Sequence, residues 1–157
     1  MSRKVCITSA DGQTGHLIAE LLLTDSHFSQ QVDKVIALVL NAENYNAKNL
    51  ESLGATLVPH IPGKSDDMTK TLKKAGVDTI CLIPPTVKDK LEVTSELVKV
   101  AKQAGVQNVC LISSAGADLA DPETQPRLRE FIAIEQLVMS SKGDPSTPTG
   151  HSPVVIR

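Results

Sequence analysis

Residues 7–15 read Ile-Thr-Ser-Ala-Asp-Gly-Gln-Thr-Gly. The apolar run Val5-Cys6-Ile7 leads into them, and His16-Leu17-Ile18-Ala19-Glu20-Leu21-Leu22-Leu23 follows. A strand that ends in a tight glycine turn and opens a helix is the setting in which backbone N–H groups hold a pyrophosphate, assisted by the positive end of the helix dipole. Gly12 lets backbone come close to the phosphates, and Gly15 lets the helix approach the sheet. Ser9 stands where such a turn usually begins with glycine; it is small enough, but a positive φ there would strain it. Ser9, Gln13 and Thr14 offer hydrogen bonds to phosphate or ribose. With Asp11, Gly12 and Gly15 they form the first group of expected cofactor-binding residues. A vestigial turn that no longer binds is the competing reading.

Outward from this turn, short apolar runs alternate with longer helical patterns. Strands are expected at residues 4–8, 34–39, 56–59, 79–83, 108–113 and 154–156, and helices at 14–23, 46–53, 66–74, 91–104 and 127–139. The strands are rich in Val, Ile, Leu and Cys without polar alternation, as parallel strands covered on both faces are. Gly54, Gly76 and Gly105 each fall between a helix and the next strand, where a left-handed cap costs least. Ser65-Asp66-Asp67 and Asp121-Pro122-Glu123 read as helix starts, with acidic groups near the positive end of the dipole. The string predicts an α/β fold: a doubly wound, Rossmann-like parallel sheet in three α/β/α layers, ordered 3-2-1-4-5-6.

Composition narrows the functional classes. The 157 residues fit one domain; 41% are apolar, 22% are charged, and the formal charge is −2. No basic block is present, and Phe28, Phe131 and Tyr45 are the only aromatic residues. Direct nucleic-acid binding by charge or by stacking is therefore not expected. Cys6, Cys81 and Cys110 each sit inside an expected strand, and read as buried thiols of a reducing compartment rather than a disulfide framework. The four histidines are scattered singly, which argues against a metal site. With no signal peptide or long apolar span, the expected location is the cytoplasm, with diffusion into the nucleus open, and no membrane partner is expected.

The end of the second strand normally selects the cofactor: an acid there binds ribose hydroxyls, whereas an arginine accepts a 2′-phosphate. Here Leu40-Asn41 offers neither charge, and Glu43 and Lys48 lie further along, so NADP and NAD both stay open. Ile83-Pro84-Pro85 and Ser113 end the fourth and fifth strands on the same edge as the glycine turn, and complete the expected site together with Leu40. No catalytic residue is assigned. Tyr45, the only tyrosine, has Asn49 rather than lysine four residues on. Ser113 and Ser114 have no general base evident in the sequence. His16, His27 and His60 read as isolated histidines, and His151 becomes a proton donor only if its loop folds over the cleft.

These residues resemble the NmrA-like family, atypical relatives of the short-chain dehydrogenases and reductases. The stretches that carry the resemblance are residues 5–16, 37–39, 50–55, 75–80, 101–116 and 143–157. The resemblance implies an NAD(P)-binding Rossmann domain over residues 1–157. It also implies that the smaller substrate or partner lobe of longer members is missing here. Three departures stand out: Ser9 for the first glycine, Leu40 where an arginine often meets the NADP phosphate, and Lys64 where relatives commonly carry an aspartate near adenine. The family's reductase-type lysine is expected four residues before Glu135, and that position is Phe131. On this ground the chain groups with the family's regulators.

The expected function is thus a nicotinamide-dinucleotide sensor or regulatory domain with little or no catalysis, presenting a surface to a protein partner or to a second copy. The alternative is an NAD(P)H-dependent oxidoreductase acting on quinones or small carbonyl compounds. A third reading is a non-binding fragment whose uncovered apolar surface drives self-association.

Overall fold

Side chains alternate between two faces along each strand of a parallel sheet, so a doubly covered sheet needs two apolar clusters. The computed structural model, which describes residues 2–142 and 152–157, contains both. Its elements are β1 (Arg3–Ile7), α1 (Gln13–Thr24), α2 (Ser26–Ser29), β2 (Val32–Val39), α3 (Tyr45–Ser52), β3 (Thr56–Pro59), α4 (Ser65–Ala75), β4 (Thr79–Leu82), α5 (Lys90–Ala104), β5 (Asn108–Ile112), α6 (Pro126–Ser140) and β6 (Ser152–Ile156). The six strands form one parallel sheet in the expected order, β3-β2-β1-β4-β5-β6.

In β1, Val5 and Ile7 face a cluster with Ala19 of α1 and Ala47 and Leu50 of α3. Cys6 faces the opposite cluster, with Leu72 of α4, Leu97 and Val100 of α5, and Ile134 and Val138 of α6. The connection after β3 carries the chain from one face to the other. It leaves the ends of β1 and β4, the two central strands, diverging over a crevice, the place where open α/β sheets bind ligands.

Local signals act as expected at most boundaries. Gly76 and Gly105 cap α4 and α5 in the left-handed region, with φ of 67° and 78°, and Asp66 and Asp67 lie in the first turn of α4. Two details differ. Asp25 accepts hydrogen bonds from the His27 and Phe28 amides and so starts the short α2, a helix that the apolar pattern does not predict and that contains His27. Asp121-Pro122-Glu123 is a turn, not a helix start. The Asp121 carboxylate accepts from the Glu123 and Thr124 amides and closes the turn on itself, so α6 begins at Pro126, where a missing N–H costs nothing. The three cysteines are free thiols in β1, β4 and β5. No helix among the described residues is long and apolar enough to cross a membrane.

Candidate functional site

The loop after β1 hangs between both neighbouring strands. The Thr8 amide donates to the Cys81 carbonyl at 3.0 Å, and the Ala10 amide donates to the Leu38 carbonyl at 2.9 Å. Ser9 turns the chain with φ 47°, and among the described residues it alone takes a positive φ without being glycine. Its hydroxyl donates to the Ile83 carbonyl at 2.9 Å, while Thr8 Oγ1 accepts from the Ile83 amide at 2.7 Å. The donor expected for a phosphate is therefore engaged in tying the turn to the end of β4.

Gly15 is required by close approach. A Cβ there would stand 2.8 Å from Ala10 Cα and closer still to the Ser9 carbonyl oxygen. At Gly12 a Cβ would come to 3.2 Å from that same oxygen. No side chain caps α1, and the amides of Gln13, Thr14 and Gly15 have no acceptor among the described residues. Free amides at a helix start, in a cradle that side chains would obstruct, fit a diphosphate.

A cleft of about 550 Å³ opens over this turn. All eleven residues expected from the sequence line it: Ser9, Asp11, Gly12, Gln13, Thr14, Gly15, Leu40, Ile83, Pro84, Pro85 and Ser113. Thr86, Val87, Ile112, Ser114 and Phe131 complete the wall. A larger groove of about 730 Å³ runs along α5 and α6, past Leu91, Ala133 and Leu137, and holds none of the turn residues.

At one end of the cleft, Asp11 is fastened to the segment after β2. Its Oδ2 accepts from the Asn41 amide at 2.9 Å, and its carbonyl accepts from the side-chain amides of Asn44 and Asn46, each at 3.1 Å. Leu40 is half exposed beside it. Lys48 pairs with Glu43 at 2.7 Å on the surface, and this pairing holds the Glu43 carboxyl below its usual range.

At the other end charged groups stand behind the wall. Lys90, the first residue of α5, is buried. Its Nζ donates to the Arg127 carbonyl, pairs with Glu130 at 3.2 Å and lies 4.5 Å from the centre of the Phe131 ring. Ser113 Oγ donates to Glu135 Oε1 at 2.5 Å, and Arg157 grips both oxygens of Glu135, at 2.9 and 2.8 Å. That guanidinium holds the Glu135 carboxyl below the ordinary range, which makes it a poor proton acceptor for Ser113.

The remaining candidates lie elsewhere. Tyr45 is exposed at the start of α3. His16 bonds Asn49 at 2.8 Å, and burial pushes the His60 imidazole below its usual value. His151 lies outside the described residues. Sequence reasoning missed the Lys90 clamp and the wall role of Phe131. The only available signal was a lone aromatic at the position where the family's lysine is expected.

Several solved structures resemble this chain. A triphenylmethane reductase of Citrobacter sp., complexed with NADP(H), is 25% identical with a TM-score of 0.71, covering 88% of this chain and 46% of its own. An NADPH-dependent quinone oxidoreductase of Escherichia coli, complexed with NADPH, is 28% identical with a TM-score of 0.70, covering 87% and 45%. A leucoanthocyanidin reductase of Vitis vinifera is 25% identical with a TM-score of 0.66, covering 88% and 43%. The chain thus spans just under half the length of each. No curated protein sequence matches it significantly.

These likenesses overturn the reading of a regulator with little or no catalysis, because the structures in question are reductases and oxidoreductases. That reading leaned on Phe131. A missing lysine removes one proton donor, whereas hydride transfer depends first on how a dinucleotide and its acceptor are positioned. The model of the NmrA-like family matches residues 1–133, and the chain belongs to that family.

Proposed function

We propose that this chain forms the dinucleotide-binding part of an NAD(P)H-dependent oxidoreductase that acts on quinones or small carbonyl compounds. The observation that carries the proposal is the single cleft that gathers the free α1 amides at Gln13–Gly15 and the strand-end residues Ile83, Pro84, Pro85 and Ser113. The likeness to NADP(H)- and NADPH-complexed reductases supports the same reading.

When bound, the reduced dinucleotide supplies the hydride. The chain's own residues then have distinct tasks. The amides after Gly12 hold the diphosphate, with the α1 dipole favouring its charge. Ile83, Pro84, Pro85, Ile112 and Phe131 form an apolar wall that keeps water from the transfer path. The Ser113 hydroxyl, whose proton points to Glu135, presents its oxygen as an acceptor for a ligand amide or hydroxyl.

Calorimetric titration with NADH and NADPH, followed by acceptor-dependent loss of nicotinamide absorbance with a panel of quinones and small carbonyls, tests the proposal. The expected result is saturable binding together with oxidation by at least one acceptor class. Binding without oxidation by any acceptor above the uncatalysed rate would remove the enzymatic reading.

A further inference from the structure

We infer that the cleft selects NAD(H) over NADP(H), and that the Asp11 carboxylate is the selecting group; this deepens the dinucleotide reading above and rests on it. Among the described residues that line the cleft, Asp11 is the only one with an ionisable side chain, and none is cationic. Its position matters as much as its charge. Asp11 Oδ2 is bonded to the amide of Asn41, two residues past the end of β2. In open α/β sheets that is where a carboxylate reads the ribose 2′-hydroxyl, or an arginine receives a 2′-phosphate. In this chain the carboxylate arrives from the glycine turn, and the residue that follows β2 is apolar Leu40.

Only one carboxylate oxygen is used in that anchor. Asp11 Oδ1 has no hydrogen-bond partner among the described residues, so it is free to accept from a hydroxyl. A 2′-phosphate offers no such donor. It brings about −1.5 to −2 charges, which face the carboxylate directly. The neighbouring basic groups do not offset this. Lys48 is held by Glu43 at 2.7 Å, the His16 ring is engaged by Asn49, and Lys64 lines separate hollows beside α4. The inference therefore runs against the NADP(H) and NADPH found with the solved relatives, which makes it easy to test.

The test is calorimetric titration of the full chain with NADH and NADPH, repeated with ADP-ribose and its 2′-phosphate to locate the discrimination at the ribose. NADH is expected to bind at least about tenfold more tightly than NADPH, because a like-charge contact that is largely screened by water already costs nearly that much. Asp11→Asn keeps an oxygen for the Asn41 amide and removes the charge. It should bring the two affinities to within about threefold, and adding Leu40→Arg should turn the preference toward NADPH. NADPH binding as tightly as NADH in the unmodified chain overturns the selectivity and leaves the dinucleotide reading intact. An NADH preference that Asp11→Asn does not alter overturns the role of Asp11. Failure of both dinucleotides to bind removes the underlying reading, and this inference with it.

Discussion

At the β1 end of the cleft the space over the start of α1 is faced by backbone amides and glycines, fixed by the strands on either side, with the Asp11 carboxylate at its margin. At the β5 end they are side chains, Phe131 and Ser113, each aimed by a charged group behind it. The first arrangement survives most side-chain changes and fails when atoms are added, as at Gly15. The second fails when atoms or charges are removed, because Lys90 and Glu135 are buried and satisfied only by specific partners. Binding geometry and wall geometry can therefore be disturbed separately.

The largest effect is expected at Lys90. Lys90→Met preserves most of the stem and deletes the ammonium that joins Glu130, the Arg127 carbonyl and the Phe131 face. Breaking a buried pair by removing one partner costs about 3 kcal/mol or more, and the lower end applies because Glu130 keeps partial access to water. Urea unfolding should show a loss of that size, while dinucleotide affinity in the folded protein changes less than about threefold. At the opposite end Gly15→Ala forces a methyl against the backbone of Ser9 and Ala10. The expected cost is about 2 kcal/mol of overpacking strain, with dinucleotide binding lost because the α1 amides are pushed out of place. If the two variants lose stability and affinity in equal proportion, the cleft is one cooperative unit and the contrast between its ends is wrong.

Glu135 sharpens the same contrast through pH. Arg157, helped by Ser113, lowers the folded-state pKa of its carboxyl. A depressed carboxyl contributes stability that is fully present above its unfolded value, about 4.3, and that is lost as pH falls through the lower folded value. Glu135→Gln should thus cost about 1.5 kcal/mol near neutrality, where a hydrogen-bonded charge is removed. The gap from the unmodified protein should close as the pH falls below about 4. A gap that stays constant from neutrality into acid would show that the carboxylate charge contributes nothing here.

The two ends also differ in what the sequence discloses. Gly12, Gly15 and the apolar runs around them specify a strand, a turn and a helix by local rules, so the sheet order and the eleven cleft residues follow from short-range pattern. Lys90 meets Phe131 only because α5 and α6 pack side by side, and no spacing along the chain encodes that meeting. Arg157 reaches Glu135 across a separation of 22 residues for the same reason. Phe131, read against a family pattern, suggested lost catalysis; in the folded chain it is a wall residue with a cation packed on its ring. Asp121 shows the opposite failure: its local signal is real, but it closes a turn before the helix rather than capping the helix.

Ser9 carries the smallest expected effect and tests the origin of the β1 end most directly. Its φ of 47° is one that glycine adopts freely and that costs an L residue about 1 kcal/mol. Its hydroxyl returns a bond to the Ile83 carbonyl, with a net value of about 1 kcal/mol. Ser9→Ala keeps the strain and loses the bond, so it should unfold about 1 kcal/mol more easily. Ser9→Gly loses both together and should lie within about 0.5 kcal/mol of the unmodified chain. Equal losses in the two variants would mean that the turn carries no left-handed strain. In that case serine is native to this geometry, and the hydroxyl bond alone secures the turn to β4.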